Sequence, residues 1–437
     1  MSARRLVLAA AGSLVVAPFT LAAQAPPVDS LRLGTLHAEA AAADPRRREL
    51  GLLDAQTALR LRSIAAERLP ALSGDGSAQY QSDVVRIPFQ LPGGQRAPSP
   101  RNESYDARVS AQQSLFDPTI GPRRAVERAR GAESQARTEA TLYTTRREVN
   151  ESFFAAAALQ ARLAELETSI AGLEARRREV EVRVREGVAL PGEAAAIEAT
   201  LLQRRQDGSQ LEADRRAALA RLASLTGRAV GDDAVLAIPD LGAAAARARA
   251  ELVTLHARPE YEQFARAREL LARQADAAAA GERPRVSAFG SAGYGRPGLN
   301  LLSERFDGFW LAGVRVQWRP WSWGTTGRER EVLALQQRIL DADEAAFAES
   351  LRRAVQSDLA DLDRLGPTLA ADERIITLRE QIERETRARF QEGVVTAAEY
   401  LDRNTDLLQA RLALAAHRIE LAQAQARLLT TLGVEVR

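Results

Sequence analysis

Side chains that could carry out chemistry are few in this chain, and their positions in the sequence do not converge. The three histidines, His37, His256 and His417, are far apart, and none has a partner at the spacing of metal ligands. The chain contains no cysteine, which excludes disulfides, thiolate metal sites and cysteine nucleophiles. We therefore expect no enzyme activity, no catalytic residue, no cofactor and no resident metal ion.

One glycine-rich stretch, residues 290–295, superficially resembles a phosphate-binding loop. Its glycine spacing does not match such a loop, no helix is predicted directly after it, and Pro297 follows. These features indicate the flexible end of a strand. The 60 basic and 58 acidic residues nearly cancel, so the charge gives no reason to expect nucleic acid as a partner.

The first residues have the pattern of a secretory signal peptide. Arg4 and Arg5 precede an apolar run over residues 6–16, and small residues around Ala23 provide a cleavage site. A buried N-terminal helix is the alternative interpretation. We expect residues 1–23 to be a signal peptide and the protein to be exported. No later stretch has the ~18 uncharged apolar residues of a spanning helix, so a membrane part would have to consist of strands.

The rest of the chain has the pattern of two copies of one unit. Gly187 recurs as Gly393, and Gly227 recurs as Gly433 at the same offset, so no gap is needed between the copies. Each copy has a helical run, a strand-like region broken by Gly and Pro, and two long helical runs. The predicted structural repeats are residues 24–230 and residues 231–437.

The long helical runs carry the spacing of coiled coils. Apolar residues from Leu159 to Val184 and from Leu401 to Leu429 alternate spacings of four and three, interrupted by Arg177 in the first series and Thr405 in the second. An ordinary helical bundle is the alternative, but its helices are much shorter than the run over residues 122–186, which would extend about 98 Å. The pattern predicts long helices that pack side by side.

The strand-like regions alternate apolar and polar residues. Between residues 105 and 115 and between residues 310 and 318, one face is apolar and the other is charged or polar. Trp310 and Trp318 lie on the same face, roughly 26 Å apart, close to the ~25 Å apolar band of an outer-membrane barrel. A soluble sheet packed on one side remains an alternative. Four strands are too few to close a barrel, so a barrel would need several chains.

Three sets of motifs, in this order and duplicated, resemble the TolC family of outer-membrane efflux proteins. Residues 114–118, Ser-Leu-Phe-Asp-Pro, resemble the family's exit from a strand into a long helix, and residues 320–324 stand at the equivalent place in the second copy. Glu-Gly-Val at residues 186–188 and 392–394 resembles the turns at the family's periplasmic tip. The helix ends before Gly227 and Gly433 resemble its helix termini.

The resemblance implies a mainly α-helical protomer with a small transmembrane β part. Duplicated long-helix coiled-coil repeats would form a periplasmic α-helical tunnel, and four strands per protomer would contribute to a trimeric 12-stranded β-barrel. The implied function is the outer-membrane channel of a tripartite efflux or type I secretion system in a Gram-negative bacterium. The channel would passively conduct substrates, and the helical part would lie in the periplasm.

The partners implied by the resemblance are two further copies of the chain in a homotrimer, a periplasmic adaptor protein, an inner-membrane pump and outer-membrane lipid. The main alternative is a soluble periplasmic coiled-coil adaptor or structural protein. An adaptor carries one helical hairpin between lipoyl-like β halves, whereas this chain has two hairpins and amphipathic strands. An exported helical enzyme, a third possibility, lacks a catalytic site.

The resemblance also assigns roles to residues near the two tip turns. Glu399 and Asp402 match acidic residues that ring the tunnel entrance in the family, and Glu193 keeps the acidic position in the first copy. These acids could instead be ordinary residues of a helix N-terminus, where the helix dipole favours them. The family closes its entrance with a tyrosine and an arginine, but Phe390 and Val395 occupy those positions. The gating mechanism is therefore not carried over.

Two further groups of residues have roles that the resemblance and the strand pattern predict. The turns at the tip are candidates for docking the adaptor, and the two tryptophans are candidates for a lipid-facing girdle of the barrel. The tip candidates are Gly187, Val188, Gly393 and Val394, and the girdle candidates are Trp310 and Trp318.

Overall fold

The structure, a computed structural model, describes residues 30–84, 101–251, 257–299 and 305–435. The expected signal peptide, residues 1–23, lies outside these ranges. The elements are, in chain order, β1 (Ser30–Arg32), α1 (Leu33–Ala43), α2 (Arg47–Ala66), β2 (Ala71–Tyr80), β3 (Glu103–Phe116), α3 (Ile120–Arg185), α4 (Pro191–Thr226), β4 (Val235–Ala237), α5 (Gly242–Ala250), α6 (Pro259–Ala280), β5 (Arg285–Arg296), β6 (Asp307–Gln317), α7 (Thr325–Gln391) and α8 (Ala397–Thr431).

Two very long helical hairpins dominate the molecule. α3 has 66 residues and α7 has 67, so each extends about 100 Å at ~1.5 Å per residue. α3 folds back onto α4, and α7 folds back onto α8. The predicted coiled-coil positions are largely buried in these pairs, as for Leu173 and Leu429. The helices and their side-by-side packing therefore agree with the sequence prediction.

A glycine follows the end of each of the two longest helices, α3 and α7. Gly187 and Gly393 have φ of +80° and +74°, a conformation that only glycine adopts without strain. The residue after each glycine donates its backbone N–H to the last turn, from Val188 to the oxygen of Arg183 and from Val394 to the oxygen of Arg389, both at 2.9 Å. Both turns are Schellman motifs, which satisfy carbonyls that the helix leaves free.

Proline has different effects along the helices. Pro259 begins α6 at a position where its missing N–H is not needed. Pro367 instead lies inside α7, which continues to Gln391. The first helical run of the chain, which the sequence pattern predicts as one helix over roughly residues 29–69, is two helices. It is divided into α1 and α2 around Pro45, and it is preceded by β1.

The strands form two separate sheets in the described part of the chain. β1 pairs in parallel with β4, and Leu31 opposite Leu236 is buried between the repeats. The larger sheet is antiparallel and has the order β2-β3-β5-β6, so β2 and β6 are its edges. These are the four strands that the sequence predicted. All four are joined to helices at one end, here called the helical end, and the other is called the loop end.

The helices pack side by side in two rows. Nearest the sheet the row is α2–α3–α6–α7, and nearest the tip turns it is α4–α3–α8–α7. The main apolar core lies between these levels, where α1, α3, α4 and α8 meet the small sheet around Phe153 and Phe154. No helix in the described ranges is both long enough and apolar enough to cross a membrane.

Candidate membrane face and tunnel tip

The strand register places almost all apolar residues of the large sheet on one face. Val109 pairs with Gly74 on β2 and with Ala292 on β5, and Ala292 pairs with Trp310 on β6. Because side chains alternate along a strand, every second residue from these pairs lies on the same face. Apart from Gln113 near the helical end, the middle of this face consists of Leu72, Gly74, Gly76, Ala78, Ala107, Val109, Ala111, Val286, Ala288, Gly290, Ala292, Ala312, Val314 and Val316.

Aromatic side chains border this apolar face at both ends. At the loop end each of the four strands contributes one exposed ring, from Tyr80, Tyr105, Tyr294 and Trp310. At the helical end lie Phe116 and Trp318, which are also exposed. Trp318 is the first residue beyond β6, and its indole N–H donates to the backbone oxygen of Glu282 at 3.1 Å. The face therefore has two aromatic rims with small aliphatic residues between them.

The sequence reasoning found only part of these rims. It identified Trp310 and Trp318 but missed Tyr80 and Tyr294, because glycine and alanine dominate β2 and β5 and weaken their hydrophobic signal. The alternation was nevertheless present in β2, where Ser73, Asp75, Ser77 and Gln79 occupy the intervening positions.

The opposite face of the sheet is mainly polar, and its large apolar side chains are Phe289, Phe309 and Leu311. Asp106 and Arg108 lie 3.8 Å apart on it. Phe289 pairs with Gly313, and Phe309 pairs with Gly293. A Cβ atom on either glycine would clash with the opposite ring, so each phenyl ring lies over a glycine. The two faces thus differ as sharply as those of a sheet that separates lipid from water.

The acidic candidates all lie just beyond the tip turns. Glu193 is in the first turn of α4, and Glu399 is in the first turn of α8. Glu399 and Asp402 are exposed. The hydroxyl of Thr396 accepts a hydrogen bond from the backbone N–H of Glu399 at 3.3 Å, as in a capping box. Thr396 therefore caps α8, and the entrance ring stays a prediction because it requires other copies.

The position of the tyrosine that closes the entrance in the TolC family is Phe390 here, and it belongs to an aromatic cluster. Phe390 is 2% exposed and stacks on Tyr400, with ring centroids 5.3 Å apart and planes at 5°. The guanidinium of Arg176, on α3, lies 5.6 Å from the centre of the Tyr400 ring. Arg183 donates to the backbone oxygen of Phe390 at 3.2 Å. Burial raises the pKa of Tyr400, and partly buried Val395 packs against this cluster.

This cluster joins the two hairpins of one chain near the tip. From the sequence, Phe390 was recognisable only as the replacement of the family's tyrosine, and Tyr400 was not identified as its partner. The sequence signal for this contact is an aromatic residue on each side of the turn at Gly393. A buried guanidinium also joins the two hairpins. Arg204 of α4 donates to Asn404 (2.9 Å) and Thr405 (3.2 Å) of α8. Burial lowers the pKa of Arg204.

Two of the three histidines have structural contacts, and His256 lies outside the described residues. His37 is buried, with Nε2 2.7 Å from Oδ1 of Asn150, and burial lowers its pKa. His417 Nδ1 lies 2.6 Å from a carboxylate oxygen of Asp372. Within the ranges that the structure covers, no group of three His, Cys, Asp or Glu is placed to hold a metal ion.

Comparison with known proteins gives matches in structure and none in sequence. No protein-family model matches the chain, and no curated protein matches it. The MtrE outer membrane channel of Neisseria gonorrhoeae, solved in its open state, is similar with a TM-score of 0.64 and 18% identity, over 97% of this chain and 96% of that one. The outer membrane protein VceC of Vibrio cholerae has a TM-score of 0.63 and 16% identity, over 93% and 97%.

A third structure, that of CusC, was described in connection with transmembrane channel formation. It has a TM-score of 0.66 and 18% identity, and it covers 96% of this chain and 97% of its own. These likenesses extend over nearly the whole of each chain, so they include both hairpins and the large sheet. The chain therefore has the fold of these outer-membrane channel proteins, which is the fold that its resemblance to the TolC family predicts.

Proposed function

We propose that this protein is an outer-membrane channel that passively conducts substrates and performs no chemistry. The observation that carries the proposal is the large sheet, with one exposed apolar face between two aromatic rims and one polar face. Such a face is suited to the hydrocarbon layer, with aromatic rims at the two interfaces. The helical end then lies on the periplasmic side, because the long helices begin there.

The edges of the sheet support assembly from several copies. Among the described residues, β2 and β6 each leave a row of backbone N–H and C=O groups without a partner strand, and lipid offers them no hydrogen bonds. Pairing β6 of one copy with β2 of the next satisfies both rows. Three copies give a barrel of 12 strands, and the same rotation arranges the helical hairpins around a tunnel. We therefore infer a homotrimer.

The tip supports a role in a tripartite system. Val188 and Val394 are exposed beside Gly187 and Gly393, at the far end of the helices from the sheet. Exposed aliphatic residues on two rigid turns per chain form a regular docking surface for a periplasmic adaptor, which would connect to an inner-membrane pump. A soluble adaptor, the alternative function, gains nothing from an exposed apolar sheet face, and this feature disfavours it.

We also propose that the chain consists of two structural repeats, residues 24–230 and 231–437. Equivalent ion pairs support the division. Arg205 lies 2.5 Å from Glu174 between α3 and α4, and Arg411 lies 2.7 Å from Glu380 between α7 and α8. All four residues obey the offset that relates the two tip glycines.

Reconstitution of the purified protein into planar lipid bilayers tests the proposed conduction. We expect discrete current steps that persist at constant voltage, because an open barrel contains a water-filled path. Protein denatured by heat before addition is the control and should give no steps. Correctly inserted protein that gives no steps would contradict the proposal.

A further inference from the structure

A cavity lies in the helical wall at the point where α8 ends and α6 begins. Both helices occupy the space between α3 and α7, with α8 nearer the tip turns and α6 nearer the sheet. The backbone of Ala257, just before α6, adjoins Gly433, just after α8. The two helices therefore meet end to end, and their junction leaves a cavity of about 350 Å³. Sites for small molecules begin at roughly 300 Å³.

A network of buried hydrogen bonds fixes one side of this cavity. The hydroxyl of Tyr143 donates to the backbone oxygen of Thr430 at 2.7 Å, and the side-chain amide of Asn150 donates to the hydroxyl of Thr430 at 2.9 Å. Nε2 of His37 lies 2.7 Å from Oδ1 of Asn150. All four residues are buried. Because these groups already have partners, they hold their positions before a ligand arrives, which lowers the entropic cost of binding.

Two arginines that line the cavity have hydrogen-bond donors to spare. Arg258 donates from Nε and Nη2 to Glu260. Arg427 donates from the same two nitrogens, one to Asp358 and the other to Asp361. Within the described ranges, no acceptor lies at hydrogen-bond distance from Nη1 of either guanidinium. Each arginine can therefore donate to a ligand without losing its carboxylate partner.

Arg147 is the third arginine of the lining and the most exposed of the three. Its side chain is 76% exposed, and its Nε lies 3.8 Å from the carboxylate of Glu151, which is beyond hydrogen-bond distance. Among the described residues, Glu151 is the one carboxylate that lines the cavity. Donors on the lining therefore outnumber charged acceptors, and charge-assisted hydrogen bonds to an anionic ligand are the strongest contacts it can make.

Two aromatic rings give the cavity an apolar side. The guanidinium carbon of Arg258 lies 5.0 Å from the centre of the Tyr143 ring and 5.7 Å from that of the Phe347 ring. Leu351 and Ala354 of α7 complete this side. Ring faces and a planar guanidinium both favour a flat ligand. We propose that the cavity binds a small organic anion with a flat apolar body, of the class of aromatic carboxylates.

The cavity opens on the side of the helical wall that faces away from the small sheet. On α3, Val149 and Phe153 pack into the main core with α1 and the small sheet, whereas Arg147 and Glu151 are exposed. At ~100° per residue, each of these two charged residues lies about 160° around the helix from Val149. In a tunnel of three copies the small sheets must lie outside, because they would otherwise fill its centre. This inference therefore rests on the proposed channel, and it names a substrate class that contacts the tunnel wall.

Equilibrium dialysis of the purified protein in mild detergent tests the site with cinnamate as the probe. Cinnamyl alcohol and cinnamylammonium have the same flat ring but are neutral and cationic, so they are the matched probes. Detergent without protein gives the background. We expect saturable binding of one cinnamate per chain. The two other probes should bind more weakly by at least ~tenfold, because they cannot accept charge-assisted hydrogen bonds from the arginines.

Three variants assign the binding to the cavity. Ala354→Phe fills the space without changing the charge and should abolish saturable binding. Arg147→Gln removes an exposed guanidinium and should weaken binding by about fivefold. Arg216→Gln, at an exposed position of α4 that does not line the cavity, is the matched control and should bind cinnamate like the wild type. Helical circular dichroism shows whether each variant is folded.

The outcomes separate this inference from the proposed function. Saturable cinnamate binding that is lost in Ala354→Phe, reduced in Arg147→Gln and kept in Arg216→Gln would support the site. Equal uptake of the three probes, or uptake that neither cavity variant changes, would show partition into detergent and overturn the site. A protein that conducts in planar bilayers but does not bind cinnamate would overturn the site and leave the channel intact. Specific binding by a protein that gives no current steps would contradict the channel alone.

Discussion

Single residues determine the turns and the charge of the tunnel tip. Gly187 and Gly393 could be assigned as turns from the sequence because a positive φ selects glycine, and the Schellman bonds follow from that geometry. The contact between Phe390 and Tyr400 could not be assigned with the same certainty, because it depends on how α7 and α8 face each other across the turn. The entrance ring stays a prediction, since its acids would meet only in the assembly.

Neutralising the acids beyond the second turn tests the entrance ring. The double variant Glu399→Gln with Asp402→Asn keeps side-chain size and helix capping but removes two charges per chain. Block of the current by divalent cations should weaken by roughly tenfold, equivalent to ~1.4 kcal/mol of binding, because a carboxylate ring attracts cations. Glu212→Gln, on an exposed stretch of α4 away from the turn, should not change the block. Equal block in the wild type and the double variant would exclude the ring.

Buried His37 should make the stability of the protein depend on pH. Burial lowers its pKa from the ordinary value of 6.5, so the unfolded chain binds a proton more readily than the folded chain. The stability associated with neutral His37 is therefore complete above pH 6.5 and decreases as pH falls below it, by at most ~1.4 kcal/mol per pH unit. Chemical unfolding at pH 7.5 and pH 5.5, followed by helical circular dichroism, should show a smaller decrease for His37→Gln. The same decrease in both proteins would contradict this role.

At the scale of elements, local pattern predicted the long helices and the four strands of the large sheet. The prediction failed for strands that pair with a strand far away in the sequence, and for strands in which most apolar residues are small. β1 and β4 are three residues each and pair across most of the first repeat, so neither has a local signal. The aromatic rims on β2 and β5 became visible only through the strand register, because single small-residue strands are weakly amphipathic.

An arginine in the middle of the apolar face tests which side of the sheet meets lipid. Val314 lies halfway between Trp310 and Trp318 on the exposed apolar face. Val314→Arg should destabilise the inserted barrel by ~2–4 kcal/mol and lower the yield of folded protein in lipid vesicles. Gln112→Arg is the control at an adjacent level on the polar face, where a charge remains in water. Equal yields for both variants would show that the apolar face does not contact lipid.

At the scale of the whole molecule, three separate features remain open in one chain. In the part of the chain that the structure describes, the sheet has two free edges, α7 exposes some of its aliphatic residues, and α2 and α4 expose some of theirs. A single rotation to the next copy would complete all three. The sequence alone predicted that several chains are needed, because four strands cannot close a barrel. It could not predict which aliphatic residues of α7 are exposed, because that is recognisable only once the partners within the chain are known.

Separation of the cell membranes followed by native mass measurement tests the outer-membrane trimer most directly. The protein, expressed in a Gram-negative host, should be recovered in the outer-membrane fraction. After extraction in mild detergent, it should have three times the mass of the processed chain. Recovery as a soluble periplasmic species of one-chain mass would contradict the proposed channel, and it would favour the periplasmic coiled-coil alternative.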